Sequence, residues 1–175
     1  SAFDCFSFFC SIIVGEGGGL FVDGGTATLK NTTIGSNLAG VNGGGIMLRN
    51  SADLDANNVT VFNNRAFDFG STPGSGGGIN IAFDSSARML NSIIAGNQAS
   101  VGHGLDCSGE LRSDGHNLIQ VTAGCTFTGD MTADITGQNP LLSPLFVLGG
   151  TTPTQMPLSG SPAIENGDDA LLAAP

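Results

Sequence analysis

Along the middle of the chain, apolar and polar residues alternate for a few positions, stop, and start again. The clearest stretch holds three such runs in succession: Gly45-Ile-Met-Leu-Arg49, Ala52-Asp-Leu-Asp-Ala56 and Val59-Thr-Val-Phe62. Alternation with a period of two marks a strand with one face in the core and the other in solvent. No window carries the apolar stripe of a helix, and the spread of Gly, Asn and Thr disfavours helices further. The pattern predicts short strands separated by turns, three to a repeat.

Two markers repeat in phase with this pattern. Glycine triplets at Gly17–Gly19, Gly43–Gly45 and Gly76–Gly78 each precede an apolar residue, Leu20, Ile46 or Ile79. About fourteen residues after each triplet begins comes an asparagine-bounded heptad. Its copies are Asn31-Thr-Thr-Ile-Gly-Ser-Asn37, Asn58-Val-Thr-Val-Phe-Asn-Asn64 and Asn91-Ser-Ile-Ile-Ala-Gly-Asn97. The heptads are offset by 27 and then 33 residues, and a loop over Arg65–Ser75 accounts for the longer interval.

A lone three-strand unit cannot bury its inward face. Units stacked about 4.8 Å apart pair their strands in parallel and close a continuous apolar column. The expected fold is all-β: a right-handed parallel β-helix (β-solenoid) of about four to five coils, each of three short strands. In this reading the glycines supply positive φ at sharp corners. Asn31, Asn58 and Asn91 tolerate the left-handed conformation, and with Asn37, Asn64 and Asn97 they form hydrogen-bonded ladders along the stack.

Coils are expected to start near residues 17, 43, 76 and 102, the fourth being weaker (Gly102–Gly104, Glu110–Gly115, His116-Asn-Leu-Ile119). An incomplete coil through Phe3, Phe6, Phe8, Phe9 and Ile12–Val14 precedes them. Pro140, Pro144, Pro153, Pro157 and Pro162 cannot sit inside a central parallel sheet. Residues 1–138 therefore read as coils, and 139–175 as an irregular cap or tail of the same domain.

The charge balance narrows the partners. Five Lys and Arg stand against 15 Asp and Glu, a formal net charge of −10, which repels phosphate backbones and excludes nucleic acid as a partner. No apolar run approaches the roughly 20 residues of a spanning helix, so no transmembrane segment is expected. The even count of four cysteines and the Lys-poor, acidic composition point to an oxidising, extracellular or cell-surface setting. Cys107 and Cys125 lack metal-ligand spacing and are expected to pair, closing a loop of about 18 residues that stabilises by roughly 3 kcal/mol. Cys5 and Cys10 are the second candidate pair. Ser1 opens a mature-looking segment with no basic leader, as expected where a leader has been removed.

The coils Gly17–Asn37, Gly43–Asn64 and Gly76–Asn97 resemble the repeats of polymorphic-outer-membrane-protein-like surface proteins, which open on Gly-Gly-x-[Ile/Leu] and close on an apolar-x-x-Asn. Here the closing motif reads Ile34–Asn37, Val61–Asn64 and Ile94–Asn97. The C-terminal half is similar to the choice-of-anchor Q domain. Its marks are Asn91–Asn97, Asp106-Cys107-Ser-Gly109, Gly115–Ile119, Cys125, Asn139-Pro-Leu141, Gly149–Thr154 and Ser161-Pro-Ala-Ile164. The resemblance implies a secreted or surface-anchored β-helix and carries no catalytic residue set. Members commonly run on past the Ser-Pro-Ala-Ile segment, so the chain is expected to be a fragment, a processed product or an incompletely known sequence.

Candidate chemistry is sparse. Asp53 and Asp55 share one strand face, but Ala27/Leu29 and Ala87/Met89 are read at the equivalent places of adjacent coils, so no carboxylate cluster builds up for glycoside hydrolysis. A lyase needs a base and clustered acids around Ca²⁺, and Lys30, Arg49, Arg65, Arg88 and Arg112 read as solvated charges. No catalytic residue and no cofactor is assigned. Asp53/Asp55 and Asp168/Asp169 are weak Ca²⁺ candidates without a loop motif. His103 and His116 are too few for zinc. Thr26-Ala-Thr28 starts a threonine row that neighbouring coils do not continue.

The function expected from the residues is a non-catalytic extracellular or cell-surface structural or adhesive module. Its expected partners are further copies, joined through the solenoid ends into an oligomer or fibre by the Phe-rich opening and Leu171–Ala174, or other surface proteins or a polysaccharide. The alternative is a polysaccharide-acting lyase or hydrolase, or a carbohydrate-binding module. The lack of Trp and Tyr removes the usual sugar-stacking platforms.

Overall fold

The computed structural model of the protein describes residues 15–100, 103–147 and 153–169. Cys5 and Cys10, the Phe-rich opening, Gly102 and the Leu171–Ala174 tail lie outside the described residues.

The described chain is all-β. The first glycine triplet leads into β1 (Leu20–Gly35) and the short β2 (Leu38–Ala39), and the second into β3 (Ile46–Phe62) and β4 (Arg65–Ala66). After the third come β5 (Ile79–Ile81), β6 (Ser86–Leu90) and β7 (Ile93–Ala95). They are followed by β8 (Cys107–Asp114), β9 (Leu118–Ile119), β10 (Cys125–Asp130) and β11 (Ile135–Thr136). Every pairing among these strands is parallel. Each rung therefore sits beside the one a repeat later in sequence.

The register aligns like residues. Leu20 pairs with Ile46, Ile46 with Ile79, and Ile79 with Cys107. Ala27, Leu54, Ala87, Leu111 and Phe127 form a second column, and Ile34, Val61, Ile94 and Ile119 a third. Leu54, Val61, Ile79, Ile94 and Leu111 are fully buried in one core that joins the columns. Strand residues alternate inward and outward, and β3 buries Ala52, Leu54 and Ala56 while exposing Asp53 and Asp55.

Two readings of the sequence need correcting. Asp53 lies between Thr26 and Ser86, and Asp55 between Thr28 and Arg88, rather than beside Ala27/Leu29 and Ala87/Met89. Towards the preceding rung the register shifts by one residue between Asp23 and Gly25, and a one-residue slip exchanges the two faces of a strand. Towards the following rung the register is constant from Ile46–Ile79 to Asp55–Arg88. The glycine triplets also do two jobs. Only the first of each, Gly17, Gly43 or Gly76, has a positive φ, of 62–65°. The others sit where backbones meet: a Cβ on Gly44 would lie 2.3 Å from the Gly77 carbonyl oxygen and 2.4 Å from the Arg65 carbonyl carbon.

The fourth rung starts at Gly104, which accepts the Gly77 N–H at 3.1 Å and so stacks on Gly76. Later rungs are shorter: Ile93 pairs 25 residues ahead with Leu118, and Gly109 only 16 ahead with Cys125. Beyond them the proline-containing segment turns antiparallel. Here β12 (Phe146–Val147) pairs with β13 (Pro153–Thr154), and Leu142 bridges to Pro157.

Candidate functional site

Buried polar side chains run along the stack as a hydrogen-bonded ladder. The Asn37 main-chain N–H and side-chain amide both donate to Asn64 Oδ1, at 3.0 and 2.9 Å. Asn64 donates in the same way to Asn97 Oδ1, at 2.9 and 3.0 Å, and its amide also reaches the Ile34 carbonyl. Asn97 in turn donates to Asp106 Oδ1, at 3.1 and 2.8 Å. Each main-chain N–H and one amide hydrogen point towards the next rung, while the other amide hydrogen of Asn64 and Asn97 points back to the Ile34 and Val61 carbonyls, so the last member has only to accept from the series. An ionised carboxylate is acceptor-only, which suits that place.

Asp106 also explains the link between the two sequence markers. Asp106 takes the rung position of Gly78, since the Ile79 N–H donates to Asp106 as the Ile46 N–H does to Gly78. A Cβ on Gly19, Gly45 or Gly78 would lie 2.8–2.9 Å from the amide nitrogen of Asn37, Asn64 or Asn97. Asparagine in the ladder therefore requires glycine beside it. On the fourth rung the glycine place carries Asp106, whose carboxylate fills the space of the next asparagine. Its other oxygen accepts the Val121 N–H at 2.7 Å. Burial pushes the Asp106 carboxyl above the ordinary range, partly offset by the bonds from Asn97 and Val121. The sequence shows Asp106 only as part of an Asp-Cys-Ser-Gly motif, and its ladder role was missed.

A second ladder follows the corner of Asn31, Asn58 and Asn91. The Val59 N–H donates to Ser92 Oγ, the Ser92 N–H to Asn117 Oδ1, and the Asn117 N–H to Asp134 Oδ1. It too ends in an aspartate. The residues one place earlier, Asn31, Asn58, Asn91, His116 and Ala133, all have φ between 49 and 57°. The Asn58 amide donates to Asn31 Oδ1 at 2.6 Å. Asn91 is used differently: its amide brackets the Asp168 main chain, accepting the N–H at 2.9 Å and donating to the carbonyl at 3.2 Å. His116 Nδ1 meets the Asn166 carbonyl at 2.7 Å, and the Asn166 amide donates to the Ala133 carbonyl. The C-terminal segment is thus fastened along this corner.

Between that segment and the strands lie two adjoining clefts of about 250 and 320 Å³. Asn58, Ile93 and Pro157 line both. Asp168 and Asp169 border the first, with His116.

The outward charges mostly tie rung to rung. Arg49 bridges Glu16 at 2.7 Å and Asp23 at 2.9 Å, and lies 4.7 Å above the Phe21 ring. The bond from Arg49 holds the Asp23 carboxyl below its usual value. Arg88 contacts Asp114 on the next rung, which Arg112 also approaches at 3.4 Å. Asp53 accepts from Ser86. Asp53/Asp55 and Asp168/Asp169 occupy different faces, and among the described residues no three of His, Cys, Asp and Glu are grouped to hold a metal ion. No helix there is long and apolar enough to cross a membrane.

Cys107 and Cys125 are joined as a disulfide with Cα atoms 5.4 Å apart. The link binds β8 to the start of β10. Asp106 and Val121 make a second, polar tie between the same two regions.

The chain matches no protein-family model, no curated protein and no solved structure.

Proposed function

We propose that the chain coils as a right-handed parallel β-helix and serves as a non-catalytic structural or adhesive module outside the cell or on its surface. The carrying observation is the use made of the polar groups. Carboxylates that a hydrolase or lyase would gather at one spot are distributed singly: Asp106 and Asp134 end the ladders, and Asp23 and Asp114 hold arginines of adjacent rungs. Supporting it are the rung-on-rung parallel register and the resemblance to surface-protein repeats. A stack of this kind offers flat faces of repeating polar residues and ends that invite further copies.

Incubation with a panel of acidic and neutral polysaccharides, with and without Ca²⁺, tests this reading. The expected result is no shortening of any chain, and retention of the protein on at least one surface polymer or as assemblies in negative stain. Turnover of a polysaccharide contradicts it. A second reading, passive carbohydrate binding, is favoured by the cleft where Thr33, Thr60 and Gln155 join Asn31 and Asn58. Saturable binding that Asn58→Gly weakens would support it, and this variant keeps the positive φ while deleting the amide.

A further inference from the structure

The C-terminal hairpin is the least soluble-looking surface of the described residues. Among the described residues twelve large apolar side chains are exposed; six belong to this hairpin, Leu141, Leu145, Phe146, Val147, Met156 and Leu158, and Ile164 follows it. Pairing makes several of them neighbours. Leu158 donates its N–H to the Leu141 carbonyl at 2.8 Å, Ser143 to that of Met156 at 2.9 Å, and Val147 pairs with Pro153. The hairpin is also firmly held. Ser161 Oγ bonds the Pro140 carbonyl, Ser143 Oγ accepts the Met156 N–H, and the following residues are fastened at Asn91 and His116. A fixed apolar surface of this size commonly marks a contact site.

Charge says what fits it. The chain carries a net charge of −10, yet from Ile135 to Ile164 there is no Asp, Glu, Lys, Arg or His. In a two-fold contact the same patch faces itself, so any charge on it meets a like charge. On a protein this acidic, copies repel one another over most of their surface. The charge-free hairpin is where two copies can meet without that repulsion.

We propose that the hairpin spanning Leu141–Val147 and Pro153–Leu158 is a self-association surface that pairs two copies side by side through a two-fold contact. This goes beyond the structural reading above: the contact lies on the flank of the strand stack, is closed, and is distinct from any joining of stack ends.

Sedimentation velocity over a micromolar concentration series tests it. Two double variants are used, Leu145→Glu/Met156→Glu and Leu145→Lys/Met156→Lys, both at exposed positions. Unchanged thermal unfolding of the monomers shows that the fold survives. The expected result is a concentration-dependent dimer for the natural sequence, a monomer for each variant alone, and dimer restored when the two variants are mixed. A natural sequence that stays monomeric, or variants that dimerise as it does, would overturn the proposal. So would an open-ended series indifferent to the variants, which would instead favour end-to-end stacking. Flotation of monomeric protein with neutral phosphatidylcholine vesicles would assign the patch to lipid and equally overturn it. Polysaccharide turnover would remove the structural reading and leave the dimer standing.

Discussion

Asn97 delivers both its main-chain N–H and its side-chain amide to a single oxygen of Asp106, at 3.1 and 2.8 Å. Both residues are buried, and Asp106 is wholly so. The series of asparagine hydrogen bonds thus ends on a carboxyl oxygen that accepts both of them.

That end should be visible in the pH dependence of stability. Burial raises the native pKa of Asp106 above 3.8, so the native state binds its proton more tightly than the unfolded chain does. Its favourable contribution is complete below 3.8 and is lost as pH rises through the native value. Asp106→Asn keeps an oxygen for Asn97 but cannot lose a proton. Its stability relative to the natural protein is expected to rise as the pH increases above 3.8, measured as thermal midpoints over a pH series. Parallel pH profiles for the two proteins would refute the assignment.

Two asparagines of the same heptad should differ sharply. Asn64 is fully buried, and its carbonyl accepts two bonds while its N–H and amide make three. Asn64→Ala leaves several buried groups unpaired and should cost about 3 kcal/mol, or roughly 6–12 °C in a domain of this size. Asn58 is exposed and left-handed, with φ of 56°, and Asn58→Gly should cost a few tenths of a kcal/mol or nothing. Equal losses for the two would contradict the ladder.

Gly44 and Gly70 separate the two reasons for glycine. Gly70 has a φ of 60° and open space around its missing Cβ, so Gly70→Ala should cost about 1 kcal/mol from backbone conformation alone. Gly44 has no such φ but is hemmed in by main-chain atoms of two rungs, and Gly44→Ala should lower the soluble folded yield severely. Circular dichroism melts of the two variants make the comparison.

The parts of the fold that were legible are those fixed by backbone demands. Glycine at 17, 43 and 76 and asparagine at 31, 58 and 91 mark left-handed corners, and such corners admit few residue types. The Cys107–Cys125 bridge followed from spacing and composition. The partners of Asp53 and Asp55 on the preceding rung were misread because the glycine markers repeat after 26 residues while the strands beyond the corner pair at 27, as Leu20 with Ile46 and Thr26 with Asp53 show. A single inserted residue leaves almost no trace in an alternating pattern. Asp106 was overlooked for a similar reason: its role arises from a place in the stack, where a carboxylate replaces glycine and asparagine together.

Reduction should loosen one end of the stack selectively. The disulfide closes a loop of 18 residues between β8 and β10, for which the loop-entropy account gives about 3 kcal/mol. With a reductant, amide exchange is expected to accelerate first in Cys125–Asp130, with Ile46–Phe62 still protected. Uniform acceleration along the chain would show that the bridge serves the whole domain instead.

The structural reading depends on rungs that stack openly along an axis. Thr28, Asp55, Arg88, Arg112 and Thr128 succeed one another in register, so the first and last are four rung spacings apart, about 19 Å. Pulsed electron–electron distance measurement between spin-labelled amino acids placed at Thr28 and Thr128 tests this most directly. A single distribution centred near that value, after allowance for the label arms, is the predicted result. A much shorter distance, as a sheet closed into a barrel would give, would contradict the open stack and the surface role built on it.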